Sequence, residues 1–98
     1  MSDVSPTVGS PREAKAELQV SFASFLVSLG RTALEHLGDM PETEARADLD
    51  LARQTIDLLA ILQEKTKGNL DAEEVRLLES MLYELRMRYV KRAGPSKA

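Results

Sequence analysis

A chain of 98 residues holds one small domain, and its 43% apolar and 30% charged composition with a net charge of −3 is that of a folded protein rather than a disordered one. No cysteine is present and histidine occurs once, which excludes a disulfide framework, a thiolate zinc site and a histidine-rich metal centre. The longest unbroken apolar run is Leu58-Leu59-Ala60-Ile61-Leu62, far short of the roughly 20 residues of a membrane span.

In chain order, the opening residues 1–10 are rich in Ser, Pro, Gly and Thr and read as a flexible tail. They lack the basic start and apolar stretch of a signal peptide, so a cytoplasmic location is the expectation. A three-helix domain is then expected over residues 11–92. Ser10-Pro11-Arg12-Glu13 has the form of a capping box with Pro at the first helical position, which predicts a long first helix starting at Pro11. Leu18, Phe22, Phe25, Leu26, Leu29, Ala33 and Leu37 keep helical spacing, and Gly38 supplies the left-handed residue that ends the helix.

An acidic connector follows. Between Glu35 and Asp50 stand six acids and one base, whereas after Leu85 come five bases and no acid. That asymmetry suits a contact between two ends of one molecule or between two molecules. The second helix starts at either Thr43 or Asp48 as cap, and ends at Lys67 before Gly68. Asp71 with Glu74 forms a capping box for the third helix, and Leu70 with Val75 takes the positions of a hydrophobic staple. Val75, Leu78, Leu82, Leu85 and Tyr89 form its seam, which frays near Arg92, and residues 93–98 read as a second flexible tail. The fold class is therefore all-α: an antiparallel three-helix bundle or hairpin with a long first helix.

Helical projection gives every helix a second apolar stripe. On the first it is Ala16, Val20, Ala23, Val27 and Leu34. On the second, Leu51, Leu58 and Leu62 lie beside Ala52, Ile56, Leu59 and Ala60, making this the helix expected to be most buried. On the third, Tyr83, Met87 and Val90 lie nearly opposite the seam, with Arg86 on their side. Such surplus points to association, as a homodimer or with a protein partner, unless the long first helix folds over the Tyr83 stripe.

Chemistry is poorly provided for. His36 near Glu35 and Asp39 suits the helix dipole better than catalysis or a metal; Asp48, Asp50 and Asp57 match no calcium loop. In Lys65-Thr66-Lys67-Gly68 the glycine follows the lysines, as in a helix end and not as in a phosphate loop. No catalytic, cofactor or metal residue is assigned. Arg86, Arg88, Lys91 and Arg92 would face phosphate in an alternative reading as a nucleic-acid accessory factor, but the acidic pI near 5.1 disfavours it.

Three blocks, Asp48 to Asp57, Leu62 to Leu70 and Leu82 to Val90, together with the Phe22 to Leu37 segment, resemble a small bacterial family, domain-of-unknown-function family 1844. The resemblance covers about residues 20–90 and implies a short, all-helical bacterial protein with no assigned activity. Its Gln63 to Leu70 and Tyr83 to Val90 blocks carry more polar detail than capping requires. The expectation is a non-enzymatic adaptor or regulator docking a signalling protein, such as a small GTPase or a receiver domain. The candidate partner-binding residues are Tyr83, Arg86, Met87, Val90, Arg88, Lys65, Lys67 and Asn69.

Overall fold

A computed structural model describes residues 20–94. Three helices pack against one another: α1 (Phe22–Leu37), α2 (Leu49–Lys65) and α3 (Ala72–Ala93), with a short 3-10 turn at Glu44–Arg46 between the first two. The expected capping box at Ser10, the Ala16 and Leu18 positions, the presumed tail 1–10 and residues 95–98 of the presumed tail 93–98 lie outside the described residues, whereas Ala93 is the last residue of α3 and not part of a tail.

The first helix does not run unbroken from Pro11. Ser21 is extended, its hydroxyl accepts from the Ser24 amide at 3.0 Å, and the Ser24 hydroxyl accepts from the Ser21 amide at 3.1 Å. This reciprocal box satisfies amides left free by the helix start and sets α1 at Phe22. At the other end Gly38 is left-handed at φ 81°, and its amide and that of Asp39 return to the Glu35 and Leu34 carbonyls at 3.0 and 2.9 Å.

Of the two caps considered for the second helix, Asp48 is used. Its carboxylate accepts from the Asp50 and Leu51 amides, both at 3.1 Å, while its own amide donates to the His36 carbonyl at 2.7 Å. The start of α2 is thereby tied to the end of α1, and the two run antiparallel. Thr43 serves the connector instead: its hydroxyl donates to the Met40 carbonyl at 2.7 Å and accepts from the Met40 amide at 3.2 Å. α2 ends at Lys65, two residues before the expected Lys67: the Thr66 amide makes the last helical bond, to the Leu62 carbonyl, which also accepts from the Thr66 hydroxyl, and the Lys67 amide shifts to the Glu64 carbonyl. Gly68 then takes φ 87° within the turn. The α3 start is as the sequence predicts, with Asp71 accepting from the Glu74 amide at 2.8 Å and Glu74 accepting from the Asp71 amide at 3.0 Å.

Nine apolar side chains form the buried core: Leu26, Ala33 and Leu37 of α1, Ala52, Ile56 and Leu59 of α2, and Leu78, Leu82 and Leu85 of α3. Each helix contributes three, one stripe only. Phe25, Leu51 and Leu58 are exposed, which corrects the expectation that α2 buries two stripes and that Phe25 belongs to the core. Tyr89 and Leu70 pack at the core margin, whereas Val75 is exposed.

The connector also grips α3. Arg88 Nη1 donates to Asp39 Oδ2 at 3.1 Å, Arg92 Nε donates to Asp39 Oδ1 at 2.9 Å, and Arg92 Nη2 donates to the Gly38 carbonyl at 3.1 Å. Arg88 Nε meanwhile donates to Glu84 Oε2 at 2.8 Å. The acidic connector and the basic end of α3 therefore meet within one molecule. Burial, which leaves the Asp39 side chain 14% exposed, pushes its carboxyl up, but hydrogen bonds from Arg92 and Arg88 and their charges prevail and hold it below its ordinary value.

Two stability predictions follow from these ends. At Gly38 an added Cβ meets Ala47 Cβ at 3.0 Å and Glu44 Cα at 3.3 Å, while at Gly68 it meets nothing within 4 Å. Both positions carry the left-handed penalty of about 1 kcal/mol, so Gly68→Ala should cost that much and Gly38→Ala about 2 kcal/mol or more in urea unfolding. For Asp39, a lowered folded pKa means its stabilisation is full above the unfolded value of 3.8 and is lost as pH falls through the folded pKa. Because Arg88 and Arg92 keep 41% and 36% of their side chains exposed, the discounted cost of Asp39→Asn at pH 7 is about 1 kcal/mol. Urea midpoints of variant and parent should converge as pH is lowered below 3.8, and a pH-independent gap would contradict the ion-pair origin.

Candidate interaction surface

Helical periodicity of 100° per residue puts the Leu78, Leu82 and Leu85 seam of α3 against α1 and α2, so residues about half a turn away face outward. Tyr83, Met87 and Val90 occupy that outer side and are 66%, 54% and 59% exposed. Among the described residues nothing from α1 lies over them, and the upstream length of the first helix that was expected to reach this stripe lies outside the described residues. They recur at i, i+4 and i+7 and form a continuous strip two turns long on a capped, rigid helix. Met87 and Val90 also edge a hollow of about 740 Å³ whose other walls are Lys91, Arg92, Arg88, Glu84 and Asp39. Apolar anchors thus stand beside the ion cluster that fastens α3 to the connector.

The remaining candidates divide. Arg86 is exposed and flanks the strip. Arg88 is half-buried and committed: hydrogen bonds from its guanidinium to Asp39 and then to Glu84 raise its pKa, so its first role is to hold the connector. Lys65, Lys67 and Asn69 are exposed in the α2–α3 turn, where Lys67 faces Glu64 at 3.8 Å and lines a hollow of about 330 Å³ with Gly68, Leu70 and Val75. From the start of α3 to Met87 is about 22 Å at 1.5 Å per residue. The turn residues and the Tyr83 strip therefore do not converge on one site.

Projecting each helix alone gives the α1 half of a second apolar surface, the Val27 and Leu34 stripe, but not its α3 half. α1 and α3 flank a groove of about 520 Å³ lined by Val27, Gly30 and Leu34 from one helix and Leu77, Met81 and Leu85 from the other. Gly30 is buried, and the Met81 methyl occupies the space a Cβ would take there, so a side chain at this position would displace the end of Met81. The signal in the sequence is Gly30 falling between Val27 and Leu34 on one helical stripe, a small residue where two helices approach.

Among the described residues no group of three or more His, Asp or Glu side chains is placed to share a metal ion. His36 closes the C-terminal turn of α1, where its carbonyl accepts from Asp48. Asp48 is a helix cap, and Asp57 faces Arg53 at 3.9 Å on a solvated surface. Among the described residues no helix is long and apolar enough to cross a membrane.

Comparison with known proteins assigns a family to this chain. No curated protein and no solved structure matches it. One family model does, over residues 19–91, a span that begins just before the Ser21 cap and ends near the last turn of α3. The chain belongs to the family described as Domain of unknown function (DUF1844).

Proposed function

We propose that the protein is a non-enzymatic helical adaptor or regulator that docks another protein through the outer face of α3. The observation that carries this reading is the exposure of Tyr83, Met87 and Val90 on a helix whose opposite face is fully committed to the core. A large aromatic, a pliable thioether and an aliphatic side chain at helical spacing suit the apolar centre of an interface, since anchors of this kind carry most of the energy of helix docking. Arg86 at the flank and Lys91 at the end of the strip favour an acidic partner surface. A signalling domain such as a small GTPase or a receiver domain is a partner of the proposed kind.

The nucleic-acid reading is weaker. Of the cations near the end of α3, Arg88 and Arg92 are engaged by Asp39, and Arg88 also by Glu84, which lowers the positive potential available to phosphate.

Met87→Asp is the discriminating variant. Met87 is 54% exposed, so the change should leave the circular dichroism spectrum unaltered and shift stability by about 0.5 kcal/mol or less. Quantitative mass spectrometry of proteins retained by the parent and by the variant should show at least one partner lost at least tenfold on substitution and retained at 0.5 M salt. Retention that collapses steeply with salt and is abolished by nuclease would favour the nucleic-acid reading, and an identical set of partners on both chains would remove the outer face of α3 from the interface.

A further inference from the structure

The outer face of α3 carries an order of charge as well as apolar anchors. Its exposed positions repeat every seven residues: Arg76, Tyr83 and Val90 along the middle, Ser80 and Met87 beside them, and Glu79 with Arg86 along one edge. That repeat is the one by which a helix packs lengthwise on another helix, because it keeps a seam facing its neighbour over several turns. At about 100° per residue, Arg86 and Lys91 stand roughly 70° to either side of the Tyr83, Met87 and Val90 strip. Nearer the start of α3, Glu79 lies on the Arg86 side and Glu73 on the Lys91 side. Both edges therefore run from an acid to a base. These four side chains are exposed, and none enters an ion pair with another described residue. The other charges at this end are already spent: Arg88 and Arg92 hold Asp39, and Glu84 accepts from Arg88. Arg76, on the midline, stands three residues from each acid, so the first half of the face keeps a net negative sign and the second half a positive one.

A helix laid antiparallel to α3 brings its own first half against Arg86 and Lys91 and its second half against Glu73 and Glu79. Acids in its first half and bases in its second then meet opposite charge along both edges. A helix favours that order by itself, since acids stabilise the positive end of its dipole and bases the negative end, and antiparallel packing sets unlike dipole ends side by side. Laid parallel, the same helix would oppose acid to acid and base to base. A second copy of α3 has this order too, but in the register that opposes Arg86 to Glu79 its Arg76 falls on Val90 beside Lys91, a cation on an apolar anchor with no acid to meet it. A foreign helix is free to set an acid opposite Arg76. We propose that the outer face of α3 binds an amphipathic helix of another protein, about 18 residues or 27 Å long, antiparallel to α3 and acidic in its N-terminal half. This rests on the docking role of the Tyr83 strip, to which it adds the chemistry and the direction of what docks.

The probe is a displayed library of peptides of about 18 residues, with Leu at a seven-residue repeat and Glu or Lys randomised beside it, selected on the full chain. Bound peptides are expected to carry Glu in the first half and Lys in the second, and to lose about tenfold or more in affinity on Met87→Asp. Arg86→Glu combined with Lys91→Glu alters exposed positions alone, so helicity should stay parental while the order of charge selected is reversed. A photo-crosslinker at the peptide N-terminus should label the Arg86 to Arg92 segment and not the first turn of α3. Peptides that need Met87 but show no order of charge, that bind the double variant as well as the parent, or that cross-link to the first turn would overturn the assignment and leave docking at the strip intact. Peptides indifferent to Met87→Asp, or a library from which none is retained, would remove the docking role itself and the assignment with it. Sedimentation equilibrium of the parent alone at about 100 µM should give a monomer; a dimer abolished by Met87→Asp would assign the face to a second copy and overturn the foreign helix.

Discussion

Three helices of 16, 17 and 22 residues share a core only three side chains deep on each helix, and most other features answer to that limit. A helix in a small bundle buries one stripe; here the apolar arcs are wider than the stripe, and the excess is left in water on all three helices. Nine buried side chains, two of them alanine, stabilise a chain of this length by only a small margin over its conformational entropy. Every helix end is consequently attended to. Ser21, Asp48 and Asp71 cap the starts, while Gly38 closes α1 and the Thr66 hydroxyl returns to Leu62 at the end of α2.

Asp39 compensates for the thin core at the end of the bundle most remote from the α2–α3 turn. α3 extends beyond Leu85, its last fully buried leucine, by eight residues. Leaving that extension unsupported would let it fray, since a terminal turn has no packing to hold it. A carboxylate just past the C-cap of α1, reached by two arginines one turn apart, docks the extension onto the connector, and the Arg92 contact to the Gly38 carbonyl satisfies a group freed by the helix end. The rigidity of the Tyr83 to Val90 strip derives from this clamp: an exposed anchor on a fraying helix would lose its binding energy to ordering.

What was legible in the sequence is instructive residue by residue. Gly38, the Asp71 and Glu74 box and the Leu78, Leu82 and Leu85 seam are local signals, each decided within one turn, and each is found where the pattern places it. The acid-to-base asymmetry was visible as well, but its partners are separated by 49 and 53 residues, so composition left open whether one molecule or two were joined. Ser21 was passed over because Phe22 to Leu37 continues the upstream apolar period without a break; a reciprocal Ser–Ser box lacks the Glu that makes a helix start conspicuous. Phe25 and Leu58 have core composition at core-like spacing, and only the crossing of the helices decides that neither is covered. The groove was hidden for the same reason, since it belongs to neither helix alone.

The two surfaces of α3 are the last consequence of the shallow core. Because its seam is narrow, α3 has room on one flank for Leu77 and Met81, which line the groove, and on its outer side for Tyr83, Met87 and Val90, with Glu84 between them bordering both hollows. Covering one leaves the other open.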